Sequence, residues 1–338
     1  MGADLDENTD RKASRRWLLL SVLAALFSSS LLSAQIPNDF DGDGLSDLVL
    51  LSGQGTSVYS WRVLSTTDAE VLLNRSFGGG TDLPVPANWE EGISNLAVAR
   101  LDTEKNEIAW RVLLESGTLG LKNFGRAGDV ILSGGDFDGS GAADVAVVRD
   151  KGSRFRWLVK PNLMAAGSTE TKKVTLGRLG DRVFFASVDG ETDWAGVFGP
   201  AANRRSRLRL RNVFSQELWS SSRFPGRLSS GQRPRPYPLR SEEGMDHLFF
   251  VTTDGRDTTT IAVYTLKGRR IARTVFDGLG TFAGGEYDLD APGDEILFQS
   301  GSGLVLWNPI ENWSTQLSVQ TGTLTGGIQI GRIGEPAQ

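Results

Sequence analysis

The chain has 338 residues, with 36 Lys and Arg against 41 Asp and Glu, a net charge of -5, one His, no Cys and 41 Gly. Hydrophobic residues make up 39%, enough for a packed core and too many for a disordered chain. Disulfides, thiolate chemistry and paired-His mechanisms are excluded, and the acidic balance argues against a nucleic-acid binder, which leaves carboxylate, hydroxyl and carbonyl oxygens as the chemical repertoire.

At the N-terminus, Arg11, Lys12, Arg15 and Arg16 precede an apolar run from Trp17 to the small pair Ser33-Ala34. A basic segment, a short apolar stretch and small closing residues describe an export signal. The stretch Ser14-Arg15-Arg16-Trp17-Leu18-Leu19 resembles a twin-arginine signal with Leu18 in place of Phe. A Sec signal is one alternative, and a retained anchor is another, because the run is just long enough to span a bilayer. The expectation is that residues 1–34 are cleaved, leaving 35–338 as one exported domain, periplasmic, at the cell surface or extracellular, with no transmembrane segment.

The rest of the chain repeats itself. Asp39-Phe40-Asp41-Gly42-Asp43-Gly44-Leu45-Ser46-Asp47 runs into Leu48-Val49-Leu50-Leu51, and Asp136-Phe137-Asp138-Gly139-Ser140-Gly141-Ala142-Ala143-Asp144 runs into Val145-Ala146-Val147-Val148. A third copy, Glu286-Tyr287-Asp288-Leu289-Asp290-Ala291-Pro292-Gly293-Asp294, leads into Glu295-Ile296-Leu297-Phe298. With weaker copies included, the closing positions are 47, 95, 144, 193, 246 and 294, at steps of 48, 49, 49, 53 and 48. Trp61, Trp110, Trp157 and Trp307 follow at 13 to 15 residues past a closing position, and turns recur at Phe77-Gly78, Phe124-Gly125, Leu176-Gly177, Phe224-Pro225-Gly226 and Phe276-Asp277-Gly278. Short Val-, Leu- and Ile-rich strands lie between these markers, and no window shows sustained helical periodicity.

A unit of this length holds four short strands, one blade of a propeller. The spacing therefore predicts an all-β propeller of six four-stranded blades. A seven-bladed ring and an open solenoid are the alternatives. The first acidic loop lacks a preceding strand, and Gly327-Ile328-Gln329-Ile330-Gly331 has the phase to supply it, so the two ends are expected to pair. The Trp series is expected to fill the space between blades.

Phe124-Gly125-Arg126-Ala127-Gly128-Asp129 followed by Gly135-Asp136-Phe137-Asp138-Gly139-Ser140-Gly141 resembles the FG-GAP repeat of integrin-α-like propellers and the related VCBS repeats. The resemblance is strong in repeats 1 and 3, moderate in 6 and faint elsewhere. It implies a propeller with calcium in inter-strand loops, usually in secreted or surface proteins, and no single function.

The spacing D-x-D-x-D-G-x-x-D suits a hard cation by itself. Alternate side chains in a tight loop converge on one point, a backbone carbonyl joins them, and calcium accepts six to eight such oxygens. The ligands assigned are Asp39, Asp41, Asp43, Asp47 and the carbonyl of Leu45 in the first loop, and Asp136, Asp138, Ser140, Asp144 and the carbonyl of Ala142 in the third. In the sixth they are Glu286, Asp288, Asp290 and Asp294, where Ala291 replaces the turn Gly. An EF-hand is excluded, because its twelfth position, a bidentate Glu, is Leu50 or Val147 in this chain. Magnesium fits less well, since it prefers to keep its waters, and metal-free Asx turns are the remaining alternative.

From Ala201 to Arg240 there are ten Arg and one acid, Glu217. Arg207-Leu208-Arg209-Leu210-Arg211 alternates as a strand does, which places Arg207, Arg209 and Arg211 on one face as a candidate patch for a polyanion or acidic partner; an ordinary solvated face is the other reading. Trp89 and Trp313 stand outside the series as candidates for carbohydrate stacking. Function is expected to be that of a non-enzymatic, calcium-binding interaction or adhesion module with a protein or anionic-glycan partner and no nucleic acid. The alternatives are a carbohydrate-active lyase or hydrolase, using acids such as Glu107, Glu217 or Glu311, and a structural subunit of an envelope complex.

Overall fold

The computed structural model describes residues 38–331, apart from 54–57, 80–81, 91, 165–169, 202–204, 226–234, 242–243, 254–257, 289–293, 301–302, 318–322 and 325–329. Residues 1–37, with the expected export signal, and 332–338 lie outside the described residues. No helix among the described residues is long and apolar enough to cross a membrane.

Six antiparallel sheets form the six blades, and each blade runs from an inner strand to an outer one. In that order, blade 1 is Thr323–Leu324, Leu48–Ser52, Ser60–Leu64 and Val71–Ser76; blade 2 is Leu83–Pro84, Ala97–Asp102, Glu107–Leu113 and Leu119–Arg126. Blade 3 is Val130–Gly135, Asp144–Asp150, Phe155–Lys160 and Lys172–Thr175; blade 4 is Arg182–Ser187, Asp193–Pro200, Arg205–Arg211 and Leu218–Pro225. Blade 5 is Pro236–Leu239, His247–Thr253, Thr258–Thr265 and Arg270–Asp277; blade 6 is Thr281–Gly285, Glu295–Ser300, Gly303–Asn308 and Trp313–Leu317. The six-bladed expectation holds, and the seven-bladed and solenoid alternatives fall.

Strand position within a blade explains the sequence pattern. Second strands are covered on both faces by neighbouring blades, so they read as continuous apolar runs, such as Asp144–Asp150 and Asp193–Pro200. Third strands are covered on one face and alternate, as Glu107–Leu113 does. Outer strands such as Leu119–Arg126 are mostly exposed. The apolar clusters straddle blade junctions. Val49, Leu51 and Trp61 of blade 1 pack with Val98 of blade 2, and Leu48 and Leu50 of blade 1 pack with Leu297 and Leu306 of blade 6. The last blade therefore rests on the first.

Trp61, Trp110 and Trp157 are fully buried, and their indole N–H groups donate to the carbonyls of Phe77 (2.6 Å), Phe124 (2.8 Å) and Leu176 (3.0 Å). Each Trp thus fixes the turn that leaves its own outer strand, which accounts for the shared period of the two markers. The Gly after each of those carbonyls has a positive φ, and at Gly177 (φ 95°) an added Cβ would lie 2.7 Å from Val197 Cγ1 of the next blade. Trp89 lies in the core, edge-on to Trp110 at 5.6 Å between ring centroids, and so is not a stacking platform for carbohydrate.

The pairing of the chain ends differs from expectation. Thr323–Leu324 lies opposite Leu51 and Leu50 of blade 1, whereas Ile330–Gly331, expected there, lies opposite Leu132 and Ile131 of blade 3. Among the described residues this contact at blade 1 comprises two residue pairs. Blade 6 also meets blade 1 through side-chain packing and the loop hydrogen bond described below.

Two glycines separate the backbone cost from the packing cost. Gly117→Ala (φ 78°, nothing within 4 Å of an added Cβ) is expected to destabilise by about 1–2 kcal/mol, the left-handed cost alone. Gly177→Ala is expected to lose about 2–5 kcal/mol, because overpacking against Val197 adds to it. Urea unfolding midpoints of the two variants check the difference.

Candidate metal centre

In the loop before Leu48–Ser52, Gly42 and Gly44 take φ values of 79° and 89°, which folds the backbone around the carboxylates. The N–H groups of Gly42 (2.6 Å) and Gly44 (3.1 Å) donate to Asp39, that of Asp43 donates to Asp41 (3.1 Å), and that of Leu45 donates to Asp43 (2.8 Å). Asp39, Asp41 and Asp43 each offer an oxygen, all three within 4.8 Å of one another. Asp47, 1% exposed, accepts the Phe40 N–H through Oδ2 at 2.7 Å, while its Oδ1 is buried and has no hydrogen-bond partner.

The third loop repeats this arrangement with a different triad. Asp136, Asp138 and Asp144 offer converging oxygens. Gly139, Ser140 and Gly141 donate to Asp136, and Asp144 accepts from Phe137 (2.8 Å) and Asn162 (2.8 Å). The Ser140 hydroxyl accepts from Asn162 Nδ2 at 3.2 Å, and the Ala142 N–H points back to it at 3.4 Å.

Among the described residues no cation forms an ion pair with these carboxylates. Burial, then the neighbouring Asp41, Asp39 and Asp43, pushes Asp47 up to about 7. Burial followed by Asp138 pushes Asp144 up to about 8, and burial, then repulsion from Asp193 and more weakly from Asp138, pushes Asp136 up to about 6. A divalent cation answers both the repulsion and the unpaired Asp47 oxygen, so each triad can hold a metal ion.

The sixth loop is arranged differently. Asp290 lies outside the described residues. The Tyr287 N–H donates to Glu295 Oε2 at 2.8 Å, as Phe40 does to Asp47 and Phe137 to Asp144, so the residue that closes this loop is Glu295. Asp294 instead accepts the Arg240 N–H of blade 5 at 2.7 Å. The expected closing series therefore contains two kinds of position. Asp47, Asn95, Asp144 and Glu295 each accept an N–H from their own loop. Asp193, Asp246 and Asp294 stand one place earlier in the repeat and reach across to the preceding blade, accepting the N–H groups of Asp136, Ser187 and Arg240. The evenly spaced acids thus slip by one residue between repeats 3 and 4, from the loop-closing position to the one before it.

The earlier position builds a complete ring. Its backbone N–H donates to the first loop carbonyl of the preceding blade at all six junctions: Ser94 to Asp39 (2.6 Å), Ala143 to Asn88 (2.5 Å), Asp193 to Asp136 (2.7 Å), Asp246 to Ser187 (3.1 Å), Asp294 to Arg240 (3.4 Å) and Ser46 to Glu286 (2.5 Å). In blade 5, Arg240 takes the loop position that Asp39 and Asp136 hold in blades 1 and 3. Arg240, 21% exposed at its side chain, lies 3.0 Å from Asp193 and 3.2 Å from Asp246, both buried. Burial works against its charge, but Asp193 and Asp246 more than offset that and keep it protonated.

The Arg stripe of blade 4 divides. Arg209 donates to Asp181 at 3.0 Å and Arg211 to the carbonyl of Thr175 at 3.4 Å, while Arg207 is exposed. Arg209–Asp181 has counterparts in Arg100–Asp82 and Arg149–Asp129, each acid lying four residues after the turn glycines Gly177, Gly78 and Gly125. That Asp spacing was a legible signal that went unread. Glu107, Glu217 and Glu311 stand on blades 2, 4 and 6 and are not brought together.

No protein-family model matches this chain, and no curated protein is similar to it in sequence. The FG-GAP likeness therefore rests on the quoted motifs alone. Among solved structures, the chain is similar to TolB from Acinetobacter baumannii, at a TM-score of 0.54 and 12% identity over 87% of this chain and 68% of that one. This likeness is one of fold. It also aligns to the Dos1 propeller (TM-score 0.40, 10% identity, 85% and 75% covered) and to lmo1340 from Listeria monocytogenes EGD-e (0.39, 8%, 72% and 84%).

Two outcomes test the electrostatics. Arg240→Met leaves Asp193 and Asp246 buried without their cation and is expected to destabilise by about 3–5 kcal/mol in urea unfolding. In chelator, stability should fall as pH rises from about 4 to about 8, because the folded chain holds the protons of Asp47 and Asp144 more tightly than the unfolded chain does. A saturating divalent ion should reduce that slope but not abolish it, because Asp246 and Glu295, pushed up to about 7 by burial, lie outside the two triads; thermal melts across the pH range will show the difference.

Proposed function

We infer that this chain is an exported, non-enzymatic, calcium-binding β-propeller that serves as an interaction module for a protein or glycan. The observation that carries the reading is the buried Asp47 oxygen without a partner beside the Asp39, Asp41 and Asp43 triad; in the third loop only the converging triad of Asp136, Asp138 and Asp144 recurs. Donors that are all oxygen, in glycine-turned loops, favour calcium, which accepts a high and flexible coordination number, over magnesium, which demands an octahedron and retains water. In the first loop Asp39, Asp41, Asp43, Asp47 and the Leu45 carbonyl would hold the ion; in the third, Asp136, Asp138, Ser140, Asp144 and the Ala142 carbonyl. Its role is to hold together blades whose loops are hydrogen-bonded across junctions, since Asp39 and Asp136 are also the ring acceptors for Ser94 and Asp193.

The propeller scaffold supports a binding role, and the basic leader with its small-residue end supports export. Conversion of a polysaccharide by the purified protein would replace this reading with the lyase or hydrolase alternative.

Calcium at about a hundredfold its Kd should stabilise the protein by about 2.7 kcal/mol for each occupied site, raising the thermal midpoint by several degrees over chelator. The double variant Asp41→Asn/Asp138→Asn keeps an acceptor for the Asp43 and Ser140 N–H groups but removes the charges. It should lose the calcium shift without a lower midpoint in chelator. An unaltered calcium response would refute the assignment.

A further inference from the structure

The outer edge of blades 4 and 5 concentrates positive charge in a way that the linear sequence does not reveal. In blade 4, Arg205 and Arg207 are exposed while Ser206 and Leu208 are buried, so the two guanidinium groups share one face of their strand. The pairing of Arg205–Arg211 with Leu218–Pro225 shifts register here, with Ser206 opposite Phe224 and Leu208 opposite Ser221, which leaves Arg223 beside Arg207. The hairpin of blade 5 then closes over this edge. Ser221 Oγ donates to the Lys267 carbonyl at 3.2 Å, and a Cβ on Gly268 (φ 86°) would lie only 3.0 Å from Arg223 Cβ. That contact carries the exposed Lys267, Arg269 and Arg270 alongside Arg223. Among the described residues none of these six cations forms an ion pair with a carboxylate, in contrast to Arg209 and Arg240 of the same two blades. Tight packing has thus assembled like charges from two blades in a chain whose net charge is -5, an arrangement that repels itself until an anion is present.

We propose that this rim, formed by Arg205, Arg207, Arg223, Lys267, Arg269 and Arg270, is the ligand surface of the module and that its ligand is a linear anionic polysaccharide. The proposal deepens the interaction-module reading and rests on it. Side chains two residues apart on a strand stand about 7 Å apart, which forms a row of charges for an extended polymer. Guanidinium groups hold carboxylate or sulfate bidentately. The partly or fully exposed Ser221 and Ser222 add hydroxyls suited to a sugar. An anionic membrane fits less well, because surface binding of that kind adds apolar side chains beside the basic ones, and the six cations are interleaved with none that are exposed. Single-stranded nucleic acid calls for exposed aromatic platforms, which this row also lacks.

The test is retention of the calcium-loaded full chain on immobilised alginate, a polyuronate, at low and at physiological salt. Wild type should be retained and released by salt. Arg223→Glu/Lys267→Glu should weaken binding by about tenfold or more, since it reverses one charge on each side of the blade contact. Lys122→Glu/Arg126→Glu, the same charge change on the exposed outer strand of blade 2, should bind as wild type does. Both double variants should keep the wild-type melting midpoint. Equal loss in the two variants, or none in either, would overturn the rim. Binding to phosphatidylglycerol vesicles or to single-stranded DNA without binding to alginate would overturn the polysaccharide. Failure to bind alginate with the calcium shift intact sinks this proposal alone, whereas absence of the calcium shift sinks the reading beneath it.

Discussion

A carboxylate placed at a packed junction must be answered by positive charge, and this requirement shapes the loop end of every blade on which acids gather. Desolvation of a charge is expensive enough that an unanswered acid would sooner keep its proton. Asp47 and Asp144, pushed up to about 7 and about 8, show the unanswered condition. At Asp193 and Asp246 the Arg240 guanidinium sits between the two acids as a counter-charge, although burial still pushes Asp246 up to about 7.

The molecule therefore uses two solutions to one problem. Blades 4 and 5 carry their counter-charge covalently, as a guanidinium that cannot leave. Blades 1 and 3 instead present acidic triads that could take an ion from solution in that role. The ring of backbone hydrogen bonds passes through both regions without change of pattern, because it requires only an amide and a carbonyl at fixed loop positions. Side chains at the same positions were thereby free to specialise, which is why Ser46, Ser94, Ala143, Asp193, Asp246 and Asp294 can occupy one structural place.

Much of this was readable from the chain. The period of about 49 residues gives six blades, and the Trp and Phe-Gly markers share a period because an indole N–H holds the turn carbonyl. The acidic loops were legible because alternate Asp residues in a glycine turn can converge in few ways. Three things were not. The slip that separates Asp294 from Glu295 is a single residue, and the two acids are adjacent, so only hydrogen bonding tells them apart. Arg240 looks like one Arg among ten until its fold neighbours are known. The placement of Ile330 opposite Leu132 rather than in blade 1 is not set by the period of the repeat.

Blade 4 shows how such a ring diverges. Arg100 and Arg149 reach their turn acids from the second strand, and the matching place in blade 4 is Gly199, where any Cβ would collide with Asp181. The guanidinium comes instead from Arg209 on the adjacent strand, near the spot a side chain at 199 would have filled. Conversion between these two layouts needs both substitutions, since either alone gives a crowded acid or an orphaned one. Column-by-column alignment of the repeats would score the feature as lost in blade 4. Kinship among these units is better traced through what meets in space than through what shares a column.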